Sequence, residues 1–128
     1  FNGDTAAANA LDDYEEGTFV PAYSAASSTS VASGRYTKIG RIVTIQIDLR
    51  AVQSGTTFGQ ITGFPFAIST QNYLSIAMRE FFSTGNALFT NCSVGSTSTG
   101  TLYQTPSNST AVNGQTYGFA FSFTYHTA

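Results

Sequence analysis

The stretch Arg41-Ile42-Val43-Thr44-Ile45-Gln46-Ile47-Asp48-Leu49-Arg50-Ala51 decides the fold. In an extended chain Val43, Ile45, Ile47 and Leu49 point one way, and Ile42, Thr44, Gln46, Asp48 and Arg50 the other. A period of two, rich in β-branched residues, predicts a long strand that buries one face. Just before it, Arg35 to Ile39 reads as a short strand and Gly40 as a tight turn. The run from Tyr117 to Tyr125 alternates as well. It sets Tyr117, Phe119, Phe121, Phe123 and Tyr125 against Gly118, Ala120, Ser122 and Thr124. Such an aromatic face covers much of a sheet, and the small-residue face permits close approach of another layer or another copy. Phe119, Phe121 and Phe123 are therefore candidates for the core or for a subunit interface.

Further strands are expected around Thr18 to Val20, Phe58 to Thr62, Asn72 to Glu80, Gly85 to Val94 and Thr101 to Gln104. Pro21 confines the first of these to a sheet edge or a strand end. Residues 24–34 read as a small-residue loop with at most a weak strand, and residues 105–116 as a long Pro/Asn/Ser loop. Residues 1–16 read as a connector and 17–128 as one domain. Six to eight short strands with frequent turn signals and no helical period predict an all-β, antiparallel β-sandwich, jelly-roll-like in one version. No repeat of fixed period supports a propeller or β-helix.

Composition narrows the function. The chain has 128 residues, five Lys/Arg and seven Asp/Glu, and charged residues make up 9% of it. Five cations cannot supply the basic footprint that phosphate contacts require, so no nucleic-acid partner is expected. No apolar run is long enough for a transmembrane helix, so no membrane insertion is expected. Cys92 and His126 are the only cysteine and histidine. No disulfide can form within one chain, no cysteine-pair zinc site exists, and a histidine-based triad would have to use a residue near the C-terminus. Catalytic residues, metals and cofactors are not expected. A surface with so few charges and so many Phe and Tyr favours burial in an oligomer.

Three segments carry a resemblance. The string Asn9-Ala10-Leu11-Asp12-Asp13-Tyr14-Glu15-Glu16-Gly17-Thr18-Phe19-Val20-Pro21 resembles the start of C-terminal domains of bacteriophage tail fibres and tailspikes. Gly34-Arg35-Tyr36-Thr37-Lys38-Ile39-Gly40-Arg41-Ile42-Val43 is similar to that family's "G-x-Y-x-K-I-G" hairpin, and Ile61-Thr62-Gly63-Phe64-Pro65-Phe66 to its "I-x-G-[LF]-P-F" turn. The resemblance implies a homotrimeric β-sandwich at the distal end of an extracellular phage adhesin. Its implied partners are the rest of the fibre chain and a bacterial surface polysaccharide or lipopolysaccharide. It implies no catalysis in this domain. Two alternatives stay open: a passive trimerisation and capping domain, and a carbohydrate-binding module attached to an upstream depolymerase.

Individual residues follow from side-chain chemistry. Sugar rings stack on exposed aromatics while amides and charged groups satisfy their hydroxyls. Tyr23, Tyr73, Phe81, Phe82 and Tyr103 lie near loops or on less regular strands. Tyr103 with Gln104, Asn108 and Asn113 forms the first candidate glycan contact, and Tyr73 with Asn72 and Arg79 the second. The acids Asp12, Asp13, Glu15 and Glu16 lack the spacing of a calcium loop. They are expected to pair with Arg35, Lys38 or Arg41 of the hairpin or of a neighbouring subunit, which makes Asp12, Asp13, Arg35 and Arg41 candidate interface residues. Cys92 reads as a buried strand thiol and His126 as a tail residue.

Overall fold

The structure is a computed structural model that describes residues 14–69, 74–82, 87–93, 101–104 and 111–127. For residues 74–79, 87–93 and 101–104 it is the backbone path that is described. Among the described residues there is no helix, and all strand pairings are antiparallel. The strands are β1 (Tyr14–Phe19), β2 (Ala22–Tyr23), β3 (Ala26–Ile39), β4 (Ile42–Gln53), β5 (Gln60–Thr62), β6 (Leu74–Glu80), β7 (Ala87–Ser93), β8 (Thr101–Gln104) and β9 (Thr116–His126). They form one sheet in the order β1-β3-β4-β9-β6-β7-β8-β5-β2.

β4 and β9 sit side by side at the centre of the core. Their register sets Val43 opposite Tyr125, Ile45 opposite Phe123, Ile47 opposite Phe121 and Leu49 opposite Phe119. The inward residues Val43, Ile45, Ile47, Leu49, Tyr117, Phe119, Phe121 and Tyr125 are buried, and Phe123 is half-buried. Phe119, Phe121 and Phe123 thus serve the core of the single chain, with ring contacts running along the strand. Each fully buried large apolar side chain contributes roughly 1.5–3 kcal/mol.

The two ends of the sheet are neighbours in sequence. β1 and β2 are separated only by Val20 and Pro21, yet β1 pairs with β3 and β2 pairs with β5. The sheet therefore folds over on itself. Tyr23 packs on Phe119 (ring centroids 5.3 Å), Phe58 on Tyr117 (5.3 Å) and Phe64 on Phe123 (5.7 Å).

Several expectations are corrected. Residues 26–34 are not a loop but the first part of β3, which pairs with β4 through two register shifts near Ala26/Ser28 and Thr29/Val31. Ser and Thr give that stretch no hydrophobic alternation. Its backbone is recruited because β4 extends to Gln53 and needs a partner there. Tyr14, Glu15 and Glu16 belong to β1 rather than to a connector, and among the described residues there are nine strands. β5 starts at Gln60, two residues later than expected. His126, expected as a tail residue, ends β9 opposite Ile42. Tyr23 is buried and lies in the core.

Two buried polar side chains had no sequence signal. Gln53 accepts a hydrogen bond from the Tyr23 hydroxyl at Oε1 (2.8 Å) and donates from Nε2 to the carbonyls of Thr57 (2.7 Å) and Ser54 (3.2 Å). The Oε1 of Glu80 accepts from the backbone amides of Phe82 (2.6 Å) and Gly118 (3.0 Å) at the β6–β9 junction. Both satisfy backbone groups where the regular ladder ends.

Candidate functional site

Alternation that buries one face of β4 turns the other outward, and the register extends that face across four strands. Thr18, Arg35, Gln46 and Ser122 form one cross-strand row, and Glu16, Thr37, Thr44 and Thr124 the next. Above these lies the row Tyr14, Ile39, Ile42 and His126. The first two rows carry only polar side chains.

A groove of about 530 Å³ opens on this face, lined by Glu16, Gly17, Thr18, Arg35, Tyr36, Thr37, Thr44 and Gln46. Its lining mixes the short side chains of Thr18, Thr37 and Thr44 with the longer ones of Glu16, Arg35 and Gln46. Thr44 and Thr124 share a hydroxyl–hydroxyl hydrogen bond of 2.9 Å. The threonines offer hydroxyls that donate and accept, Gln46 an amide that does both, Glu16 an acceptor and Arg35 a donor fork. This inventory suits a polyhydroxylated ligand.

Within the chain, Glu15 and Glu16 meet tyrosines rather than the hairpin cations. The Tyr36 hydroxyl donates to Oε1 of Glu15 (2.8 Å) and the Tyr14 hydroxyl to Oε2 of Glu16 (2.7 Å). The hydrogen bond to the neighbouring carboxylate raises the pKa of each phenol above its ordinary value. Gly17 makes the first contact possible, since a Cβ there would stand 2.8 Å from the Tyr36 ring.

Of the four cations whose side chains are described, three have partners. Lys38 lies over the Phe66 ring (5.6 Å), the Nε of Arg41 donates to the Thr127 carbonyl (3.2 Å), and Arg50 meets Asp48 (3.5 Å) and the Phe81 ring (5.2 Å). Arg35 is exposed and makes no ion pair or hydrogen bond with a described residue. Arg50–Asp48 is the only ion pair among the described residues.

Of the sequence-derived glycan candidates, only Asn113 has a described side chain. Asn113 is exposed, and its Oδ1 accepts from the Gly55 amide (2.9 Å), joining two loops distant in sequence. The backbones of Tyr103 and Gln104 pair with β5 and β7, and that of Arg79 with Ala120 and Ala87. Their side chains lie outside the described residues, as do Asn72, Tyr73, Asn108, Asp12 and Asp13 and the side chain of Cys92. The groove went unnoticed in sequence because its lining comes from three strands whose register is set by pairing. No group of three or more metal-ligating side chains occurs among the described residues.

The three segments that carried the family resemblance meet in one place. The ring of Phe19 lies against Gly34 and packs edge-on to Phe64 (6.3 Å). Tyr36 packs edge-on to Phe66 (5.2 Å), and Gly63, at φ +91°, lies against the Val20 carbonyl. No family model matches this chain, and comparisons with curated proteins and with solved structures find no match.

Proposed function

We propose that this chain is the distal C-terminal module of a bacteriophage tail fibre or tailspike. In this reading it is a jelly-roll-like β-sandwich that assembles as a homotrimer on the virion and attaches to a bacterial surface glycan. The observation that carries the reading is the convergence just described. Residues up to 45 positions apart in sequence, Phe19 and Phe64, are in contact, which is what a family pattern with those three segments would encode. The hydroxyl- and amide-lined groove supplies the glycan surface, and no catalytic role is assigned. Threefold repetition turns weak single-site contacts into useful attachment. The test is adsorption of the purified 128-residue chain to bacterial surfaces and to a glycan array, with light scattering for its mass. Binding as a trimer supports the reading; a 13.5 kDa monomer that binds no glycan overturns it.

A second reading, a passive trimerisation and capping domain, is favoured by one observation. Tyr14, Ile39 and Ile42 stand side by side on the outer face at 49%, 49% and 47% exposure. Contiguous exposed apolar residues mark an interaction surface.

A further inference from the structure

The geometry points to an acidic saccharide as the ligand of the β1–β3–β4 groove, with Arg35 holding its carboxylate or phosphate group. This rests on the glycan-binding reading and names the class of glycan. In a chain with five cations, three of the four described are engaged within the chain, and the free one lines the groove. Its lateral neighbours Thr18 and Gln46 are neutral hydrogen-bonding groups, so nothing beside it in the row cancels its charge. A guanidinium presents a planar donor fork that fits an oxyanion bidentately. Neutral hydroxyls would leave that charge unanswered.

Glu16 completes the match. It lies diagonally across the β1–β3 pair from Arg35, and such diagonal positions are about 7–8 Å apart. That is on the scale of one sugar ring. Tyr14 already donates to its Oε2, so Oε1 is left to accept from sugar hydroxyls. Despite that proximity Glu16 and Arg35 form no ion pair with each other. Each can therefore bind its own end of the ligand: the anionic substituent on Arg35, the diol on Glu16, and the ring hydroxyls between them on Thr18, Thr37 and Thr44. A polyanion with no free hydroxyls would meet the repulsion of Glu16 beside the attraction of Arg35.

The experiment is a glycan array probed with the full chain. It would hold uronate-containing oligosaccharides, the same oligosaccharides after carboxyl reduction, phosphorylated oligosaccharides and neutral ones. The expected result is retention on an acidic set, with carboxyl reduction or dephosphorylation weakening binding at least tenfold. The set retained tells carboxylate from phosphate. Arg35→Gln should lose the same factor and bind the acidic and neutralised forms equally, while Arg35→Lys recovers part of it. Comparing ligands on the unmodified chain keeps the test valid if a variant fails to fold. Equal binding of neutral and acidic glycans overturns the inference and leaves the glycan reading standing. Binding to no glycan overturns both. If Arg35→Gln dissociates the oligomer, Arg35 is an intersubunit ion-pair partner and the inference falls.

Discussion

The ring of Phe19 occupies the space that a side chain at Gly34 would need: a Cβ on Gly34 would stand 2.5 Å from it. The two residues are directly paired across β1 and β3. The missing side chain lets the edge-strand phenylalanine fold down to Phe64 and into the core. Gly34→Ala should therefore push Phe19 out and destabilise the fold by about 1–3 kcal/mol. Gly40→Ala, at the hairpin turn with open space around it and φ +57°, should cost about 1 kcal/mol through backbone strain alone. Denaturant titration of the two variants separates them, and Phe19→Ala should make the Gly34 substitution much less costly.

Neighbours in β4 should respond oppositely. Ile45 is fully buried, and Ile45→Ala should cost about 2–5 kcal/mol. Gln46 faces the groove, and Gln46→Ala should change stability by no more than about 0.5 kcal/mol. Thermal unfolding of both variants checks the side-chain alternation.

Tyr23 should confer a pH dependence. Its hydroxyl donates to Gln53 and accepts from the Gly59 amide (3.0 Å), and burial pushes its pKa above the ordinary 10.0. The folded chain therefore holds this proton more tightly than the unfolded chain. The stabilisation is complete below about pH 10 and is lost as pH rises through that value toward the higher folded pKa. Tyr23→Phe should cost about 1–3 kcal/mol near neutrality by leaving Gln53 Oε1 without its donor. Between pH 9 and about 11 the variant should lose less stability than the wild type. Tyr14 and Tyr36 act in the same direction in both proteins, so the comparison isolates Tyr23.

The exposed apolar row offers a direct test of assembly. Ile42→Ser with Tyr14→Ser should leave the unfolding midpoint of the isolated chain nearly unchanged, because both residues are about half exposed. If the row is a subunit contact, light scattering should show the mass falling to that of one chain. An unchanged mass would assign the row to another surface.

β4 and β9 were legible because each alternates over many residues with large apolar side chains on one face. The N-terminal part of β3 was not, since Ser27, Ser28, Thr29 and Ser30 carry no apolar period and their outward side chains do little to define a face. Its strand character is imposed from outside, by the length of β4. The groove was illegible for a related reason. Its residues are ordinary Thr, Gln, Glu and Arg until the β1–β3–β4 register aligns them. The charges of Glu15, Glu16 and Arg35 were visible, but within the chain the two acids take tyrosine partners instead of cations. Tyr36, freed by Gly17 to lie across the edge strand, reaches Glu15 first.

The two residues between β1 and β2 carry a mechanical consequence. Tension applied at Tyr14 along the strand axis loads the six registered pairs of the β1–β3 ladder together, in shear, instead of opening them one by one. What passes beyond Pro21 reaches the other margin of the sheet through Ala22 and Tyr23, and Tyr23 is clamped to Gln53 and Phe119. The two margins of the sheet are thus joined by a link of two residues, and a load on one edge is shared with the other rather than borne by a single ladder.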